Sequence, residues 1–160
     1  ARDIIGDEPF AVLLPDMITL PGQRGGRCLA QCIEAYEKHK GNIIAVEDVP
    51  MEETDKYGVV AIGQDFGHTL EIKGMVEKPA KEVFRILESV GTGAGGEIQL
   101  TDGMKKLSET QGFYGVRFDG KTYDTGSKVG FLAANVAFAM ARDDIRPGFV
   151  AELKKIVGSL

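Results

Sequence analysis

Residues 11–19 read AVLLPDMIT, and the fold turns on how this stretch is read. Val12, Leu13 and Leu14 form a continuous apolar run, too short for an ordinary helix. It is of the kind that a parallel sheet, covered by helices, buries on both faces. Pro15 lacks the N–H that a ladder needs, so pairing is expected to stop there. Asp16 follows at once. Open α/β sheets hold their ligands outside the carboxyl ends of the strands. A carboxylate in that position reads either as a loop acid or helix cap, or as a ligand to a hard divalent cation.

The chain has 160 residues, which fits a single domain over 1–160 with a core of its own. Its 21 glycines exceed the usual share of about 7% and point to tight turns or backbone-lined sites. A net charge of −5 argues against a nucleic-acid or anionic-membrane surface. An anionic substrate would then need local cations, a few lysines or a metal. No apolar run approaches the roughly 18 residues that span a membrane, and no secretory leader is read. The opening ARDIIGDEPF, with no initiator Met, reads as the middle of a protein. Cys28 and Cys32 stand four apart on a predicted helix and read as small core residues, since zinc would need more ligands than this region offers. The expected compartment is reducing, hence cytoplasmic.

Periodicity along the chain predicts the following. A helix ends within 2–7, and PGQRGG (21–26) is a loop. Residues 27–40 form an amphipathic helix with Cys28, Leu29, Cys32, Ile33 and Tyr36 on one face and Gly41 as its stop. NIIAVEDV (42–49) is a buried strand, followed by a polar connector at 51–56. YGVVAI (57–62) and LEIKGMVEK (70–78) are strands able to form a hairpin, the second turning Leu70, Ile72, Gly74 and Val76 to one side. Helices are expected at 81–90 and 97–110, the latter with Ile98, Leu100, Met104 and Leu107 inward, separated by the loop GTGAGG (91–96). That loop lacks the Gly-Lys-Ser/Thr ending of a P-loop, and a helix precedes it. A strand at 113–118, a tight turn at Asp119-Gly120, a long apolar helix at 127–142 and a last helix opened by Pro147 complete the chain. Strands alternating with helices give an α/β class with a mixed sheet.

Charged residues gather at the predicted strand ends. Glu77-Lys78-Pro79 is either a solvated ion pair or a sugar- and phosphate-reading pair, because Glu accepts from hydroxyls and Lys is a compact cation. Asp124, in TYDTGSK (122–128), is either a helix cap or a partner to Asp16 around one cation. Tyr57-Gly58 is either a strand-start turn or a point where backbone approaches a ligand. His39 and His68 read as surface residues. Residues 131–140 read as core, with a subunit interface as the alternative.

LLPD, YGVV, GMVEKP, GAGGEIQLTD and YDTGSKVGFLAANVAFA occur in this order and cover almost the whole chain. As a set, the chain resembles the bacterial UTP–glucose-1-phosphate uridylyltransferases, or UDP-glucose pyrophosphorylases, of the sugar nucleotidylyltransferase family. The resemblance implies a three-layer, Rossmann-like nucleotide-diphospho-sugar transferase fold with a mixed central sheet. It implies the reaction of UTP with glucose 1-phosphate to give UDP-glucose and pyrophosphate, with Mg²⁺ as cofactor. Carried over, Asp16 and Asp124 match the two metal-holding carboxylates, and Lys78 the lysine that grips the sugar phosphate. Glu77 matches the acid that reads glucose hydroxyls, and Gly58 the glycine whose backbone faces the sugar. Gly126 and Lys128 sit beside the metal ligand as further substrate-binding residues. A homo-oligomer is expected, with neither nucleic acid nor membrane as partner.

The chain departs from the family pattern in two ways. The N-terminal loop GxGTRxxPxxK, which carries an Arg and a Lys for the triphosphate, is absent, so the fold is expected to be incomplete at its N-terminus. The family's further strand between the EKP segment and the next helix is missing after Pro79. The competing readings are a thymidylyl- or adenylyltransferase of the same family, and a non-catalytic sugar-nucleotide-binding module with the same fold.

Overall fold

A computed structural model describes residues 2–23, 26–78 and 100–159. In chain order its elements are α1 (Arg2–Ile5), β1 (Met17–Pro21), α2 (Cys28–His39), β2 (Asn42–Val46), a 3₁₀ turn (Met51–Lys56), β3 (Gly58–Asp65), β4 (Thr69–Glu77), α3 (Leu100–Leu107), β5 (Phe113–Arg117), β6 (Gly120–Asp124), α4 (Lys128–Met140) and α5 (Arg146–Val157). The helix expected at 81–90, the loop at 91–96 and the first residues of the helix expected at 97–110 lie outside the described residues. The chain divides into two compact units, Gly26–Asp119 and the pair of segments Ala1–Gly25 and Gly120–Leu160.

In the Gly26–Asp119 unit, four strands pair in the order β2-β5-β4-β3. β2 and β5 run parallel, while β4 is antiparallel to both β5 and β3, so the sheet is mixed as expected. Leu70, Ile72, Met75 and Phe113 form its buried cluster, with Ile44, Val46, Val60 and Met104 packed against it. The inward phase of β4 shifts partway along. Leu70 and Ile72 point in, but Met75 takes the place expected of Gly74 and Val76. Ala61 pairs with Gly74 and Ile62 with Ile72, which leaves Lys73 extra on β4. One added residue reverses the two-residue alternation beyond it.

Helix α2 appears where periodicity placed it, but its buried stripe is shifted: Cys28, Cys32 and Tyr36 of the expected face are only half-buried. Gln31 and Ala35 are buried, whereas Leu29 and Ile33 are exposed. Gln31 goes inward because its amide is satisfied there. Its Nε2 donates to the carbonyls of Gly26 (3.1 Å) and Asp119 (3.2 Å), and its Oε1 accepts from the Asp119 N–H at 2.8 Å. A buried polar group costs little when fully partnered. The helix ends with Lys40, not Gly41, in the left-handed region (φ 53°). Gly41 answers to space instead, since a Cβ there would lie 2.7 Å from the Gly112 carbonyl.

The β3–β4 hairpin turns at Gly67 (φ +86°), and the Asp65 carboxylate accepts from the Gly67 N–H at 2.7 Å. Both oxygens of Asp65 also receive Arg117 of β5, at 3.0 and 2.9 Å. His39 is not a surface residue. It is half-buried, stacks on Tyr114 at 4.2 Å between ring centroids and shares a hydrogen bond with Thr69 Oγ1 at 3.1 Å. His68 is likewise half-buried.

The other unit holds the largest departure from expectation. Val12, Leu13 and Leu14 form no strand and are 63%, 69% and 56% exposed. Leu14 accepts a hydrogen bond from the Met17 N–H at 3.4 Å, so Pro15 and Asp16 are the middle of a turn. Proline suits the second position of such a turn. The strand starts after it, because the partner of β1 is β6, and their register begins at Met17 opposite Asp124. β6 itself falls where the sequence suggested only a connection to the next helix. α4 carries Val129, Phe131 and Leu132 exposed and Ala134 buried, so the core reading of 131–140 fails within this unit. Proline opens α5 as expected. No helix of the described residues is long and apolar enough to cross a membrane.

Leu70 is almost fully buried. Leu70→Ala is expected to cost about 2–5 kcal/mol, read as a lower urea midpoint with an unchanged slope. Burial pushes the Cys32 thiol up to about 12, and the adjacent Cys28 adds to the shift. The folded state therefore holds the Cys32 proton more tightly than the unfolded chain does. Stability from this source is complete below about pH 8.5 and is lost as pH rises toward the folded value. Cys32→Ala is expected to flatten the alkaline decline of the urea midpoint, and parallel profiles would contradict the assignment.

Candidate functional site

The antiparallel pairing of β1 with β6 sets Met17 against Asp124, which brings the preceding Asp16 to the same end of the ribbon. The Asp16 carbonyl is held twice, by the Thr125 N–H at 2.8 Å and the Thr125 hydroxyl at 2.9 Å. One Asp124 carboxylate oxygen accepts from the Gly126 N–H at 2.9 Å, the short-range bond that Asp makes to backbone two residues on. The two carboxylates border one point. A Cβ on Gly126 would lie 3.1 Å from Asp124 Oδ1 and 3.5 Å from Asp16 Oδ2. Both side chains are exposed.

Ser127 caps α4, its Oγ accepting from the Gly130 N–H at 3.0 Å, while the Asp124 carbonyl accepts from the Ser127 hydroxyl at 3.3 Å. Asp124 is thus the last strand residue, not the cap. A Cβ at Gly130 would stand 1.9 Å from the Asp124 carbonyl oxygen, so glycine lets the helix start this close to the strand end. Thr125, Gly126, Ser127, Lys128, Phe131 and Leu132 line an open concavity of about 360 Å³. Lys128 sits at the helix N-terminus, where the dipole disfavours a cation. Such a local conflict is more typical of sites than of scaffolding.

Hard carboxylate oxygens at a solvent-open position fit a cation that keeps most of its ligands as water or phosphate oxygens. Mg²⁺ is commonly held by one or two carboxylates together with substrate phosphates. Among the described residues no cluster of three or more His, Cys, Asp or Glu side chains is arranged for a metal.

In the Gly26–Asp119 unit, Gly58 and Glu77 face each other across β3 and β4. Lys78 follows with φ 40°, a left-handed backbone that non-glycine residues adopt at some cost, and its N–H donates to the Tyr57 carbonyl at 3.0 Å. Glu77 is half-buried and Lys78 exposed. A residue the sequence reading passed over joins them: the Thr101 hydroxyl donates to Glu77 Oε2 at 2.5 Å. Thr101 lies inside the GAGGEIQLTD segment that carries the family resemblance, and that position is the one sign of it in the sequence.

This chain is 41% identical over 167 residues to a UTP–glucose-1-phosphate uridylyltransferase of Bacillus subtilis, covering 94% of this chain and 56% of the relative. It is 41% identical over 146 residues to that of Komagataeibacter xylinus, covering 81% and 50%. The chain therefore spans about half the length of these curated relatives. A UTP-bound UGPase structure from Acinetobacter baumannii aligns with a TM-score of 0.78 at 29% identity, over 95% of this chain and 58% of that one. A UDP-glucose pyrophosphorylase complexed with UDP-glucose aligns at 0.74 and 33%, over 88% and 60%. These structures carry the expected fold class. No family model matches the chain.

Gly130→Ala must displace either the Asp124 carbonyl or the first turn of α4. It is expected to destabilise the fold by about 1–3 kcal/mol, measured by urea unfolding, whereas Gly148→Ala, with nothing within 4 Å of its Cβ, serves as the control.

Proposed function

This chain is a homologue of the UTP–glucose-1-phosphate uridylyltransferases, and on that premise we propose that the protein bearing it transfers the uridylyl group of UTP to α-D-glucose 1-phosphate. The products are UDP-glucose and pyrophosphate. The observation that carries the reading is the match to curated relatives along nearly the whole of this chain. That match runs through both units, which supports reading residues 1–160 as one nucleotidylyltransferase domain.

The nucleophile is an oxygen of the sugar phosphate, already ionised at neutral pH. It needs no general base, so the half-buried, ring-stacked His39 is not missed from the chemistry. The demand on the protein is to bring two anions together and hold them in line. Asp16 and Asp124 would hold Mg²⁺. When bound, the cation supplies charge neutralisation at the nucleotide phosphates. Lys128, on the rim of the concavity beside them, adds positive charge, and Gly126 leaves the space between the two carboxylates open. Lys78 receives the sugar phosphate as a point charge. Glu77 accepts from glucose hydroxyls, and the backbone of Gly58 faces the sugar. A cytoplasmic location accompanies this reading, since Cys28 and Cys32 are both free thiols, the state that a reducing compartment maintains.

In the intact protein, Asp16→Asn and Asp124→Asn are each expected to lower kcat at least ~100-fold, about 2.7 kcal/mol of transition-state stabilisation. Pyrophosphate release from UTP and glucose 1-phosphate measures it. Turnover like the unsubstituted protein's in both variants would refute the carboxylate roles.

A further inference from the structure

We propose that Thr101 is a positioning residue that sets sugar specificity by locking Glu77 into one orientation. The proposal rests on the reading of Glu77 as the acid that receives the sugar's hydroxyls. Two groups from separate stretches of the Gly26–Asp119 unit meet at this carboxylate. Thr101, in the first turn of α3, donates its hydroxyl to Glu77 Oε2 at 2.5 Å. Gly58, opposite Glu77 in the β3–β4 register, leaves the slot that Oε2 occupies, since a Cβ there would lie 3.2 Å from Oε2 and 3.8 Å from Thr101 Oγ1. Among the described residues, Oε1 of Glu77 receives no hydrogen bond.

The carboxylate is therefore asymmetric. One oxygen is tied to a helix, and among the described residues nothing donates to the other. Threonine suits the task because its β-branched side chain has few rotamers, and a hydroxyl that donates to the carboxylate keeps its lone pairs for a further donor. A glutamate free to swing about its three side-chain torsions would follow the hydroxyl of either sugar epimer. A glutamate held at Oε2 presents Oε1 in one direction and accepts from one configuration, leaving the wrong epimer unpaired. Gly58 then has a second duty beside exposing backbone, which is to keep that orientation free of a clash. The ligand class follows: a hexose 1-phosphate, discriminated by the configuration of a single hydroxyl.

The test uses the intact protein with Thr101→Val, which keeps the shape and removes the hydroxyl, Thr101→Ser, which keeps the hydroxyl, and Glu77→Gln. Steady-state kinetics are measured with glucose 1-phosphate, its C4 epimer galactose 1-phosphate and its C2 epimer mannose 1-phosphate. For Thr101→Val we expect the KM for glucose 1-phosphate to rise about tenfold, the KM for UTP to stay unchanged, and the kcat/KM preference for glucose 1-phosphate over one epimer to fall about tenfold. Thr101→Ser should stay within about threefold of the unsubstituted protein on all three measures. If Glu77→Gln alters the sugar KM and the epimer preference but Thr101→Val alters neither, the positioning role is overturned and the reading of Glu77 stands. If Glu77→Gln alters neither, the reading of Glu77 falls and the proposal with it. Equal loss in Thr101→Ser and Thr101→Val would also overturn it, since the hydroxyl would then not be the operative group. Thermal unfolding monitors folding, and Thr101→Ala replaces Thr101→Val under the same criteria should the valine variant not fold.

Discussion

Two like charges stand side by side because a backbone ladder puts them there. The β1–β6 register opposes Met17 and Asp124, and the double hold of Thr125 on the Asp16 carbonyl closes the end of the ribbon. The closeness of the two carboxylates depends on that pairing. Exposure keeps its cost low, since two carboxylates several ångströms apart in water repel by on the order of 1 kcal/mol or less. The same exposure leaves the position open to a ligand that reverses the sign of the interaction. The glycines at 126 and 130 follow from the same crowding, one between the carboxylates and one where α4 starts against the strand end.

The other unit works by a similar economy of space. Lys73, the extra residue on β4, turns Met75 into the core and carries the strand on to Glu77 opposite Gly58. Lys78 then breaks into left-handed backbone as soon as pairing ends. The hairpin is anchored at its far tip through Asp65 and Arg117. Held at both ends, the hairpin carries Glu77 on a hydrogen-bonded strand, a firmer mount for a side chain than a loop.

Patterns between near neighbours were readable in the chain itself. The amphipathic run of α2, the apolar run of α4, the proline that opens α5 and the hairpin 58–77 all follow from periodicity and turn chemistry. So did the mixed α/β class, and the ordered set of motifs pointed to the family that the curated relatives carry. Asp16, Asp124, Gly58 and Glu77 stood out because charges and glycines sat at expected strand ends, even though the first of those strands does not exist as drawn. Val12, Leu13 and Leu14 have the composition of a buried strand, yet the ladder begins three residues later, and composition alone carries no record of which segment lies alongside.

Sequence by itself determined the kinds of residue available, the helices α2, α4 and α5 and the hairpin, because those depend on spacings of two to four residues. Tertiary structure alone decided that Asp16 would meet Asp124, that Gln31 rather than Ile33 would turn inward, that β4 would change phase at Lys73, and that Thr101 would reach Glu77. Each depends on how separate segments pair or pack against one another. It is settled by hydrogen-bond register and by which buried polar groups find partners, and those quantities exist only once the chain has closed on itself.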